Sequence, residues 1–247
     1  MKNTFKLIAL LICSSAMAQI NYGNQVGKKE VKKGEVTFEQ KTDDKGNTTI
    51  GFIMDGLPVG GQKVVTIDGQ TIYQTYNRKH ELDGTKIIMD KNSGSIELYT
   101  YRKNQKNGPA FKVSNGKIAW QKQFEDDKPS GKDYKVNHSA DYYAGRNSAN
   151  FEGFTMEKYK DSYALGFFAY GRRAYPIIHT WNSGGSYYGQ CIQGLRKEFG
   201  VYFYEDGGMY VGAWNNNSKE GLGFKMDKGG KVTEKGYYKK NIINIEL

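Results

Sequence analysis

Glycines that follow a turn-forming residue recur along this 247-residue chain at a spacing that few folds allow. They read Lys45-Gly46, Asp68-Gly69, Ser93-Gly94 and Asn115-Gly116, and later Gly184-Gly185, Gly207-Gly208 and Gly229-Gly230. Within each group, successive glycines stand about 23 residues apart, a period in the range of stacked supersecondary units. The gap between the groups, Gly116 to Gly185, is three further periods. Two diverged turns are therefore expected at Asn137-His138-Ser139 and at Asp161-Ser162. The whole series amounts to about nine copies of one unit.

The unit reads as a β-hairpin. Asp-Gly and Asn-Gly favour two-residue turns, because both central residues need positive φ. Strand-like segments follow, such as Ser95–Tyr101 and Lys117–Trp120, in which Ile96 and Leu98, and Ile118 and Trp120, are read as sharing a face. A second glycine set, Gly61, Gly84, Gly108 and Gly131, is read as the turns at the opposite end of each unit. No segment carries a helical period with caps. Hydrophobic residues make up only 38% of the chain, below the roughly 45–50% usual for a globular domain. Aromatics reach 14%, with 19 Tyr, so the chain is too aromatic to be disordered. A lone hairpin is marginal in water, but stacked hairpins bury a continuous aromatic stripe.

Tyr210-Val211-Gly212-Ala213-Trp214, followed by Gly221-Leu222-Gly223-Phe224, resembles the MORN repeat, Y-x-G-x-W and then G-x-G. Tyr187-Tyr188-Gly189-Gln190-Cys191 with Gly200 is similar, with Cys191 in the aromatic position and Glu198 in place of the first later glycine. The N-terminal copies, Tyr76 to Gly84 to Gly94 and Tyr101 to Gly108 to Gly116, resemble the MORN variant of bacterial envelope and antitoxin-like proteins. The resemblance implies an all-β, elongated single-sheet solenoid of antiparallel hairpins over residues 41–240. Its repeat-motif residues are Tyr187, Gly189, Gly200, Tyr210, Gly212, Trp214, Gly221 and Gly223. It further implies phospholipid binding or protein scaffolding.

Lys2 and Lys6, the apolar run Leu7–Cys13 and the small residues to Ala18 read as a signal peptide, residues 1–18, cleaved after Ala18. The alternative is a lipoprotein signal at Cys13, which Ile12 disfavours. Residues 19–40 read as a basic polar leader and 241–247 as a tail. Cleavage removes two lysines and no acid, lowering the formal charge from +10 to +8. Cys191 then stands alone, without a disulfide partner. The expected location is periplasmic or extracellular, with no transmembrane segment in the mature chain.

Catalytic chemistry finds little support. Cys191 with His179 suggests a thiol and base, but the repeat alignment places Cys191 in the buried slot of Trp214. His80, His138 and His179 share no metal-ligand spacing. Glu125-Asp126-Asp127 reads as a solvated loop. No nucleophile elbow, phosphate loop or dinucleotide fingerprint is present. The expectation is a non-enzyme without cofactor or metal. The basic residues Lys28, Lys29, Lys32, Lys33, Arg172 and Arg173 are candidate contacts for an anionic partner: phospholipid, acidic polysaccharide or an acidic protein. Nucleic acid is disfavoured, since no recognised binding module is present. The aromatic-rich stretch from Tyr142 to Tyr175 keeps open a carbohydrate-binding alternative. An immunity- or antitoxin-like protein partner is the third reading. A single-layer sheet has little interior, so a surface rather than a pocket is expected to bind.

Overall fold

The computed structural model describes residues 34–130, 135–137 and 152–247. The signal peptide, Lys28, Lys29, Lys32, Lys33, the turn at His138-Ser139, Gly131 and the rings of Tyr142, Tyr143 and Phe151 fall outside the described residues.

The described chain is all strand and turn. The first sheet contains β1 (Val36–Thr42), β2 (Thr48–Met54), β3 (Leu57–Val65), β4 (Gln70–Tyr76), β5 (Gly84–Asp90), β6 (Ser95–Arg102), β7 (Gln105–Ser114), β8 (Lys117–Glu125) and β9 (Lys128–Ser130), in sequence order. The second contains β10 (Lys135–Asn137), β11 (Glu152–Lys158), β12 (Ser162–Ala169), β13 (Arg172–Trp181), β14 (Ser186–Ile192), β15 (Leu195–Phe203), β16 (Met209–Asn215), β17 (Ser218–Met226), β18 (Val232–Lys239) and β19 (Ile242–Glu246). Neighbours pair antiparallel throughout, except that β10 lies parallel to β11. Hairpin follows hairpin because each connection is too short for any other pairing.

With two exceptions, the turns alternate between two kinds: the β4–β5 connection is a longer loop, and β7–β8 is joined by the two-residue turn Asn115-Gly116. One edge has two-residue turns with positive φ at both positions, including Asp55-Gly56, Lys103-Asn104, Asn216-Asn217 and Lys240-Asn241. Their twist matches that of the flanking strands. Asn217 ties its turn to the preceding hairpin, donating to the Arg196 carbonyl while its Oδ1 accepts from the Arg196 N–H. Asn241 does the same to Lys219, and Asp127 to Lys106. The opposite edge has longer loops, several opened by an Asx side chain. Asp43 Oδ1 accepts from the N–H groups of Lys45 and Asn47, and Asp227 Oδ1 from those of Gly229 and Lys231. The repeat glycines from Gly46 to Gly230 all lie in turns or in the short loops beside them.

The second glycine set does not mark turns. Gly61 lies inside β3, Gly84 begins β5 and Gly108 lies inside β7. Gly61 and Gly108 belong to β-bulges: Asn107, Gly108 and Pro109 stand between Lys106 and Ala110 opposite the single Thr100. The left-handed positions of these bulges are Gly60, beside Gly61, at φ +65° and Gly108 at φ +120°, conformations that glycine adopts cheaply. A bulge at Ala119 also parts Ile118, packed on the core, from Trp120, which meets Tyr99.

The array is not a single sheet. The two sheets face each other across a shared core. Phe52, Tyr73, Ile87, Leu98 and Phe111 of the first sheet meet Phe154, Phe167, Val201, Phe203, Val211 and Phe224 of the second. Rings interlock across the interface at Phe38–Phe224, Tyr73–Phe203 and Phe111–Phe154. A solitary sheet would leave this apolar face in water, at about 1.5–3 kcal/mol for each large side chain. Covering one hairpin array with the other removes that cost. The array also extends past its expected ends. Val36–Thr42 forms β1, with Phe38 against Phe52, and Ile242–Glu246 pairs with β18 as β19.

Candidate binding surface and inter-sheet cleft

The outer face of the second sheet carries its own aromatic stack. Tyr187 lies flat over Gly200, where a Cβ would run into its ring, and its hydroxyl donates to the Gln190 carbonyl at 2.8 Å. One repeat later Tyr210 lies over Gly223, where a Cβ would collide with the hydroxyl, which donates to the Ala213 carbonyl at 3.0 Å. Gly189 and Gly212, on the tyrosines' own strands, crowd the same hydroxyls, which a Cβ there would meet at 2.7 and 2.6 Å. Trp214 packs edge-on against both tyrosines and donates from its indole N–H to the Gly200 carbonyl. Seven of the eight repeat-motif residues thus meet in one stack. The eighth, Gly221, sits at a bulge with φ +85°.

Cys191 fills the slot of Trp214, fully buried in the same cluster. Burial pushes its thiol up to about 12, against the opposing pull of Arg173 and Arg196. His179 is buried and stacked on Trp181 at 4.1 Å. Burial, then Arg173 and Arg196, push its imidazole down to about 3. Its ring therefore accepts from Arg173 at Nδ1 and donates from Nε2 to Ser162 Oγ. A protonated thiol and a neutral imidazole are the reverse of an activated pair.

Three cations cross this face at one repeat position. Arg173, Arg196 and Lys219 follow one another at single-period steps along the chain. The Arg196 guanidinium lies 4.4 Å from the Trp214 ring centre and 5.5 Å from that of Tyr202. Lys219 approaches Tyr210 at 5.2 Å and Tyr204 at 5.7 Å. Arg173 stands 5.7 Å from Tyr159. Among the described residues none of the three forms an ion pair. Partial burial and the neighbouring Lys225 lower Lys219 to about 8, so it remains mainly charged at neutral pH. Successive members lie on every second strand, two strand spacings apart, which separates the charges by about 10 Å. Arg173 was legible as a basic site; Arg196 and Lys219 were not, although stepping one and two periods on from Arg173 reaches both. Arg172 is exposed and takes no part in the column. The half-exposed rings of Trp181, Tyr202 and Tyr204 line the same face.

The two-layer arrangement also opens a cleft of about 550 Å³ between the sheets. The single-sheet expectation left little interior for such a space. Gly84 and Gly108 line it from the first sheet, Tyr175 and Glu198 from the second. Tyr175 and Glu198 hold φ of +56° and +57° at bulges where the following repeat has Gly221. Left-handed backbone is costly for any residue with a Cβ. Partial burial, and then the nearby Asp83 carboxylate, raise the Glu198 carboxyl above its ordinary range. Among the described residues no group of three His, Cys, Asp or Glu side chains is placed to hold a metal ion.

No protein-family model matches the chain, and no curated protein matches it. What the fold defines is a class: an all-β protein of repeated hairpins in two facing antiparallel arrays.

Proposed function

We propose that this chain is a non-enzymatic, exported binding platform of the MORN type, which presents the outer face of its second sheet to an extended anionic surface at the cell envelope. The column of Arg173, Arg196 and Lys219 carries the reading. Among the described residues these cations form no ion pair, although Glu234 lies near Lys219; they are held on rings at a fixed spacing, on a sheet whose other face is committed to the core. Aromatic support orients a cation without neutralising it. Regular spacing suits a partner with repeated negative charge, such as phospholipid head groups or an acidic polysaccharide.

The test is binding of the exported protein to vesicles of neutral or anionic phospholipid, and to acidic and neutral polysaccharides, at 0.1 M and 1 M salt. The Debye length falls from about 10 Å to about 3 Å between these conditions, so charge-driven binding should collapse. Replacing Arg173, Arg196 and Lys219 together by Gln should abolish binding to the anionic partner. Binding that ignores both salt and this substitution contradicts the reading. It would favour carbohydrate recognition through the half-exposed rings of Trp181, Tyr202 and Tyr204. Binding to neither class would leave a protein partner, including an immunity-type one.

A further inference from the structure

The inter-sheet cleft is chemically unlike the basic outer face. Asp83, in the loop just before β5, and Glu198 of the second sheet both line it, and Asp83 sits close enough to disfavour a second negative charge on Glu198. Among the described residues neither carboxylate forms an ion pair, although the exposed Arg102 also lines the cleft. Gln190, 6% exposed, donates its amide N–H to Glu198, which fixes the orientation of that amide. Among the described residues its Oε1 is then left buried with no partner, and so is Oε1 of Gln123 on the opposite wall. Buried polar atoms are nearly always satisfied, so unpaired acceptors on two residues that line one cleft leave room for a donor that the described residues do not supply.

Every unmet group here is an acceptor, and two of the groups beside them are anionic. A neutral hydroxyl compound would satisfy the amides but leave the two carboxylates repelling. Tyr175 adds a ring 42% exposed, whose face attracts a cation. Its neighbour in the repeat series, Glu198, holds the same left-handed backbone, and both stand where Gly221 occupies the next copy. Residues kept in a costly conformation collect at ligand sites.

We infer that this cleft binds an organic ammonium group, held between the Asp83 and Glu198 carboxylates, with the Gln190 and Gln123 amide oxygens accepting its N–H bonds and Tyr175 against its charge. The group belongs to a free amine or to a lysine side chain. Calorimetric titration distinguishes these sources, with 1,5-diaminopentane as one probe and acetyl-Gly-Lys-Gly-amide as the other. The uncharged isostere 1,5-pentanediol serves as the control.

The expected result is saturable binding of at least one amine probe, none of the diol, and a loss of at least tenfold in both Glu198→Gln and Asp83→Asn. Thermal unfolding of each variant checks that it folds, and either variant alone carries the test. The tighter amine identifies the source. Absence of saturable binding by both amines, equal binding of the diol, or parental affinity in a folded carboxamide variant would overturn the inference.

Discussion

The two sheets use opposite devices for the same backbone geometry. On the second sheet, paired glycines such as Gly212 and Gly223 clear a space on the outer face, and Tyr210 lies in it. On the first sheet, Gly51 clears the equivalent space, but Gln62 fills it, with its amide donating to the Phe52 carbonyl. A glutamine tucked against backbone seals the face. A tyrosine stack creates a floor on which Arg196 and Lys219 can lie. The repeat is thus a scaffold whose outer face is set by what occupies the glycine space, while the inner face is fixed by packing against the other sheet.

Trp214→Ala should separate the two regions most strongly. The ring is 5% exposed and closes the stack between Tyr187 and Tyr210, so its loss should cost about 3–5 kcal/mol in chemical denaturation. A cost under about 1 kcal/mol would mean that the outer stack contributes little to stability.

Acid should weaken the second sheet through His179. Its folded pKa, near 3, lies below the ordinary value of 6.5. Above pH 6.5 both folded and unfolded forms are neutral, and the group's full stability is present. As pH falls from 6.5 toward 3 the unfolded chain takes up a proton that the folded chain refuses, and stability is lost. The loss should approach about 1.4 kcal/mol per pH unit, or about 2.5 kcal/mol between pH 6 and pH 4. Unfolding curves of His179→Gln should lack this slope; an unchanged slope would refute the assignment.

Gly223→Ala should cost about 2 kcal/mol, since its methyl group enters the ring and hydroxyl of Tyr210. Gly94→Ala has open space around it and strains only a φ of +65°, so it should cost about 1 kcal/mol. Equal costs would remove the distinction between ring-seating and turn glycines. The smallest expected effect has the opposite sign. Glu198→Gly relieves a left-handed backbone and should raise stability by about 1 kcal/mol in thermal unfolding, as at Gly221. A loss of stability would show that Glu198 serves the fold rather than the cleft.

Turn chemistry was legible in the sequence because it is local. Asn115-Gly116 needs positive φ at both residues, and nothing distant alters that. The position of Cys191 followed from its offset to Trp214 within the repeat. The bulges were misread because glycine serves turns and bulges for the same conformational reason, and Gly61 and Gly108 carry no local sign of which applies. The second layer was hidden for another reason. Both faces of these strands carry rings, so Phe224 on the inner face and Tyr210 on the outer look alike in a period-two pattern. Only the long-range contact of Phe224 with Phe38 and Phe52 separates them. Glu198 stood out as a departure from the motif glycine and Tyr175 as part of the aromatic stretch, but their meeting in a cleft depends on that same layer and was out of reach of any single-sheet reading.

The claim that two hairpin arrays close on one core is most directly tested by a double-mutant cycle between Phe38→Leu in β1 and Phe224→Leu in β17. The two rings meet edge-on at 5.3 Å, yet belong to different sheets, one near the start of the first array and one near the end of the second. Facing sheets predict a coupling of about 0.5–1.5 kcal/mol in unfolding free energy. A single extended sheet would hold these rings far apart, and additive effects, within about 0.3 kcal/mol, would contradict the two-layer fold.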